Sequence, residues 1–170
     1  MLPASFQNRT ACCFTGHRAQ YLPRSASDKE ALVSRLGLCV AEAVELGVTR
    51  FLTGGADGFD TIAAEAVLYC KRFAPQVSLV LALPSKTQSD GWSEPMRRRY
   101  AYILERASEV RYASERSNSA LAMRARNRYL VDHADCCIAY CTRSSGGTVY
   151  TVNYALECGL PVYNLAEAQV

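Results

Sequence analysis

Asp135-Cys136-Cys137-Ile138-Ala139-Tyr140, the turn Ser144-Ser145-Gly146-Gly147-Thr148 and the run Val149-Tyr150-Thr151-Val152-Asn153-Tyr154-Ala155-Leu156 together decide how this chain folds. The first run is apolar and short, as in a buried strand, and the last reads as a helix. A strand, a glycine-rich turn and a helix N-terminus in that order predict a βα unit. They also predict an anion site. The first N–H groups of a helix lack partners within it, and the helix dipole places partial positive charge there. Gly146 and Gly147 let the backbone approach a ligand closely, and the Thr148 hydroxyl adds a donor.

Outward from this unit the alternation repeats. Strands are predicted at Ala11 to Thr15, Arg50 to Thr53, Val77 to Leu83, Glu109 to Tyr112, Cys136 to Tyr140 and Val162 to Leu165. Helices are predicted at Ser27 to Leu46, Phe59 to Phe73, Pro95 to Ala107, Ser119 to His133 and Val149 to Cys158. In the first helix Leu32, Leu36, Val40, Ala43 and Val44 form an apolar stripe, Asp28 stands near the start, and Gly47 reads as the C-cap. This order predicts an α/β domain with a mostly parallel sheet and right-handed crossovers. Residues 84–94 form the longest loop, of a length that is often functional.

A chain of 170 residues with 49% hydrophobic residues fits one domain with a proper core. The net charge of +3 is too mild to argue for nucleic acid by itself. Apolar runs fall short of a membrane span, and Met1 to Thr10 lacks the apolar core of a signal peptide. The expectation is a cytoplasmic protein. Eight cysteines without a C-x-x-C pair, and only two histidines, His17 and His133, argue against a zinc site. Reduced cysteines filling strands and helices are expected.

Three glycine turns each follow a predicted strand: Thr15-Gly16-His17-Arg18, Gly54-Gly55-Ala56-Asp57-Gly58 and Gly146-Gly147-Thr148. A single such turn is an ordinary tight βα connection. Three at strand carboxyl ends favour a shared ligand site, because open α/β sheets bind ligands where the strand order reverses. If the first strand lies between the second and the fifth, all three turns meet at one crevice. Neither Gly-x-Gly-x-x-Gly nor the P-loop pattern is present. Arg18 suits a bidentate phosphate clamp, and His17 suits a donor or an acid/base group, with a solvated loop pair as the plain alternative. In Arg124-Ala125-Arg126-Asn127-Arg128, Arg124 and Arg128 share a helix face and Arg126 points away from them, toward the crevice. Asp57 and Asp60 can cap the second helix, and Asp60 or Glu65 suits ribose hydroxyls. Trp92 either stacks on a base or sugar or docks its loop as a hydrophobic plug. No catalytic residue is assigned.

Several motifs carry a family resemblance. They are Thr15-Gly16-His17-Arg18, Gly58-Phe59-Asp60 with Ala63-Ala64-Glu65, and Pro84, Gln88, Trp92 and Tyr100 at their spacing. Arg126-Asn127 followed by Asp132 and Asp135, and Gly146-Gly147-Thr148 with Tyr154-Ala155, complete them. In this order they resemble the SLOG superfamily, in particular its small bacterial YpsA-like branch. The superfamily includes the LOG proteins and the DNA-processing protein DprA. The resemblance implies a Rossmann-like three-layer domain over residues 1–170. It also implies a pocket for a nucleotide or ADP-ribose-type ligand, to which Thr15, Gly54, Gly55 and Asn127 also belong, and a homodimer. LOG enzymes cleave the N-glycosidic bond of a nucleoside monophosphate with a glutamate of Pro-Gly-Gly-x-Gly-Thr-x-x-Glu, and that place is Thr151 here. The resemblance thus leaves binding or sensing of a small nucleotide-derived ligand as the leading expectation. LOG-like hydrolysis and DprA-like binding of single-stranded DNA are the alternatives.

Overall fold

The computed structural model describes residues 1–114 and 118–167; 115–117 and 168–170, within the domain expected over 1–170, lie outside the described residues. The order is β1 (Ala11–Gly16), α1 (Ala26–Glu45), β2 (Arg50–Thr53), α2 (Phe59–Lys71), β3 (Ser78–Leu83), α3 (Glu94–Arg106), β4 (Glu109–Tyr112), α4 (Ala120–Asp132), β5 (Cys136–Tyr140), α5 (Gly147–Glu157) and β6 (Val162–Asn164). The strands form one sheet in the order β4-β3-β2-β1-β5-β6, and every pairing is parallel.

The sheet is covered on both faces, so its inner strands read as continuous apolar runs. Side chains alternate between the two layers. Cys12, Phe14, Phe51, Leu79, Leu81 and Ile138 face the layer of α1, α2 and α3. Cys13, Leu52, Val80, Ala82, Cys137 and Ala139 face α4 and α5. Phe14 stacks on Phe51 at 5.8 Å and meets Phe59 of α2 edge-on at 6.5 Å. Cys12 pairs in register with Cys136 and Cys13 with Cys137, all four buried, and all eight cysteines are free.

Local chemistry sets most helix ends. The Ser25 hydroxyl accepts from the Asp28 N–H at 3.1 Å and starts α1, and Gly47 with φ 113° ends it. Serine 119 caps α4 in the same way, its hydroxyl accepting from Ala122 N–H at 3.2 Å. The last helix, α5, starts at Gly147, two residues before the Val149 expected from periodicity, because Gly146 (φ 112°) makes the turn itself. Gly147 and Thr148 therefore lie in the first helical turn.

The second strand, β2, and β5 flank β1, as the three-turn crevice requires. From β1 the chain crosses to β2 over the α1 face, whereas from β5 it crosses to β6 over the α5 face. The loops leaving β1 and β5 diverge, and a cleft opens between them.

Candidate functional site

The cleft beyond β1 and β5 has a volume of about 360 Å³. The end of β1 contributes Thr15 and Gly16, and the loop after it His17, Arg18 and Tyr21. Ala56 lines it from the turn after β2, Asp60 from the start of α2, and Met123, Arg126, Asn127 and Leu130 from α4. The turn after β5 supplies Arg143, Ser145, Gly146, Gly147 and Thr148. That size suits a small-molecule site.

No side chain caps the N-terminus of α5. Its first amides and the positive end of its dipole face the cleft. Gly146 is required by its φ of 112°. Gly147 has no such requirement: it lacks a positive φ, and a Cβ there would meet nothing nearer than Asn127 Nδ2 at 4.0 Å. Thr151, one turn on, is buried and donates its hydroxyl to the Gly147 carbonyl at 2.9 Å. The side chain at the LOG glutamate position is thus held by its own helix.

The floor of the cleft is a buried ion pair. Arg126 is 6% exposed; its Nη1 donates to the Gly54 carbonyl at 2.7 Å and lies 3.6 Å from Asp60 Oδ2. Its Nε is buried without a partner. Burial pushes the Asp60 carboxyl up from its ordinary value, and Arg126 and the Ala56 N–H offset this only in part. Burial lowers Arg126, against the pull of Asp60. An arginine stays protonated in a protein all the same. Among the described lining residues Arg18, Arg126 and Arg143 face one carboxylate, Asp60, so the cleft favours anions.

His17 lines the cleft but is 5% exposed, and its Nε2 accepts the Thr142 N–H at 2.9 Å. Burial, then the nearby Arg143 charge, lowers its pKa from the ordinary 6.5. A neutral ring whose Nε2 lone pair is already used ties the β1 loop to the β5 loop. It is placed as a brace rather than as a general base.

Five of the expected residues do not line the cleft. The capping expected of Asp57 and Asp60 is also absent: Gly58, with φ 116°, is the N-cap of α2, and no side chain caps it. A Cβ on Gly58 would stand 2.5 Å from the Ala19 N, because an antiparallel bridge to Arg18 brings the β1 loop against it. Gly54 lies under Arg126, where a Cβ would be 1.6 Å from Nη1. Gly55, with φ 60°, accepts at its carbonyl a hydrogen bond from Gln88 Nε2 at 3.0 Å. Glu65 forms a bidentate pair with Arg99 of α3, since its place on α2 turns it to the α3 side. Trp92 meets Tyr100 edge-on at 5.1 Å and packs on the core as the plug of its loop. These five hold the cleft's walls and the layer behind them.

Tyr21, Met123 and Arg143 line the cleft without having been expected there. Arg143 immediately precedes the turn Ser144–Thr148, so its position in sequence is a usable signal. Tyr21 belongs to no motif, and only the 3-10 turn Ala19–Tyr21 brings it back to the cleft.

The model of the YspA SLOG family (YpsA) matches residues 12–159. The uncharacterized SPbeta prophage-derived protein YoqJ of Bacillus subtilis (strain 168) is 32% identical over 117 residues, covering 62% of this chain and 68% of that one. A UPF0398 protein of Halalkalibacterium halodurans is 36% identical over 93 residues, 54% of this chain and 49% of its own, so the chain spans about half of that relative. The solved DNA processing protein A (DprA) of Helicobacter pylori, described for its single-stranded DNA binding mode, superposes with a TM-score of 0.63 at 15% identity. That match covers 94% of this chain and 67% of DprA, and at such identity the likeness is one of fold.

Proposed function

From the premise that the chain belongs to the YspA SLOG family, we propose that its cleft binds or senses a small nucleotide-derived ligand. The phosphate lies on the open N-terminus of α5, over Gly146, Gly147 and Thr148, with Arg126 and Arg18 supplying countercharge. Gly147 is the observation that carries this reading. Where alanine can adopt the same backbone conformation, glycine costs about 0.4–1 kcal/mol through the greater freedom of the unfolded chain. Here neither backbone conformation nor crowding accounts for it, whereas close approach of a ligand to the helix end does. Asp60, the one carboxylate among the described lining residues, accepts ribose hydroxyls from the cleft floor. Turnover is not part of the proposal, because Thr151 carries no charge and its hydroxyl is held by Gly147.

Thermal melting against nucleoside mono-, di- and triphosphates and ADP-ribose tests it. At ~100 times its dissociation constant a ligand stabilises the native state by ~2.7 kcal/mol, a visible shift. Gly147→Asp is the control: an acid in the first turn suits the helix dipole but repels a phosphate. The expected result is a shift in the wild type that the variant loses. No shift from any nucleotide defeats the reading.

A second reading, binding of single-stranded nucleic acid, draws on the DprA likeness and on the outer face of α4 and α5. There Arg124 lies over Tyr150 at 5.9 Å and Arg128 over Tyr154 at 4.9 Å, a basic and aromatic surface. Binding of an oligonucleotide with a steep fall in affinity as salt rises would favour it.

A further inference from the structure

Tyr21 and Arg143 face each other at the cleft. Tyr21 closes the 3-10 turn after β1, fixed by hydrogen bonds from its N–H to the Arg18 carbonyl (2.9 Å) and from Leu22 N–H to the Ala19 carbonyl (3.2 Å). Arg143 comes from the opposite wall, the turn between β5 and α5. Its guanidinium carbon lies 4.3 Å from the Tyr21 ring centroid. His17 meets the Tyr21 ring edge-on at 6.0 Å and is itself anchored by the Thr142 N–H. The backbone that carries Tyr21 is held by the turn and one edge of its ring meets His17, while the rest of the ring is open (44% exposed) and Arg143 is exposed on a long flexible side chain. Of the cation–π contacts among the described residues, only this one joins two residues that line the cleft.

We infer that Tyr21 and Arg143 are a base clamp, in which the nucleobase of a free nucleotide inserts between the phenol ring and the guanidinium. The inference rests on the phosphate site proposed above and adds the part of the ligand that site does not read. Two flat π-systems, one of them cationic, are stacking partners for any nucleobase. An exposed arginine–tyrosine cation–π contact is weak and opens readily. Arg18, the N-cap of the 3-10 turn, is placed for the phosphate and Tyr21, its last residue, for the base, so one short loop reads both ends of the ligand. A free nucleotide is favoured over a polymer because the two walls already meet at this cation–π contact, in a cleft of about 360 Å³.

The test compares the affinities of the four 5′-nucleoside monophosphates with that of ribose 5-phosphate. The proteins are the wild type, Tyr21→Leu, Tyr21→Phe and Arg143→Ala. At least one nucleotide is expected to bind the wild type about tenfold or more tighter than ribose 5-phosphate, the scale of one base–aromatic stack. Tyr21→Leu should erase that advantage and leave ribose 5-phosphate binding unchanged, and Tyr21→Phe should keep the advantage. Arg143→Ala should likewise weaken nucleotides more than ribose 5-phosphate. An advantage that survives Tyr21→Leu places the base elsewhere and overturns the clamp, while the phosphate site stands. Equal losses of nucleotide and ribose 5-phosphate in Arg143→Ala make Arg143 a phosphate ligand and also overturn it. Binding of neither probe overturns both the clamp and the phosphate site. Tyr21-dependent binding of a single-stranded thymidine oligonucleotide, with no mononucleotide binding, overturns the free-nucleotide assignment.

Discussion

Gly147 and Gly54 look alike in sequence and do opposite things. Gly54 gives way to a protein side chain, since Arg126 Nη1 occupies the place its Cβ would take. Gly147 gives way to nothing in the protein. Gly147→Ala is therefore expected to raise the stability of the ligand-free protein by roughly 0.4–1 kcal/mol while weakening nucleotide binding. Chemical denaturation and a binding titration on the same variant check the two halves. His17 carries a prediction in pH. Its folded-state pKa is depressed below the ordinary 6.5, so as pH falls the unfolded chain takes up the proton first. The unfolded state then binds more protons, and stability falls as pH drops from 6.5 toward the folded value. Protonation also removes the lone pair that accepts the Thr142 N–H. Urea midpoints measured from about pH 7 to about pH 5 should show this fall, and His17→Gln should flatten that part of the curve.

At the scale of elements, two helix starts differ in what holds them. The N-terminus of α1 is capped by Ser25, and Ser25→Ala is expected to lower stability by about 1 kcal/mol without changing ligand affinity. The N-terminus of α2 has no side-chain cap. It is clipped to the β1 loop through the Gly58–Arg18 bridge and the Phe59 N–H, which donates to the His17 carbonyl at 3.1 Å. Gly58→Ala must place a Cβ 2.5 Å from the Ala19 N at a φ of 116°. It should lower stability by more than about 1 kcal/mol and also weaken binding, because the loop that carries Arg18 is displaced. A melting curve and a titration separate the two helices: one variant moves stability alone, the other moves both. Sequence pattern placed the five helices to within two residues at every end, since periodicity and caps are local properties. It did not reveal that Gly58 caps α2 in place of an aspartate, because the reason lies in a loop about forty residues earlier.

At the scale of the whole molecule, the cleft depends on the sheet beneath it. Phe14 stands at the centre of β1, fully buried between Phe51 and Phe59. Phe14→Ala should lower stability by about 3–5 kcal/mol, read as a lower denaturant midpoint. Bound nucleotide should recover part of that loss by mass action. Alternating apolar runs and glycine turns were enough to specify the α/β class, the parallel sheet and the end of it at which the cleft opens. These follow from short-range rules: a strand buried on both faces is apolar throughout, and a parallel connection needs a helix. The same rules marked Gly16, Arg18, Arg126 and the Gly146–Thr148 turn as neighbours of one crevice. Tertiary structure alone decided which candidates face it. Glu65 and Asp60 stand five residues apart on α2, and that angular step sends one to Arg99 and the other to the cleft floor. Trp92 went to the core because Tyr100, on α3, offers its loop an apolar seat. Tyr21 entered the cleft because a turn of three residues folds back over β1. Which way a side chain points is set by contacts between segments distant in sequence, and those exist only once the layers have packed.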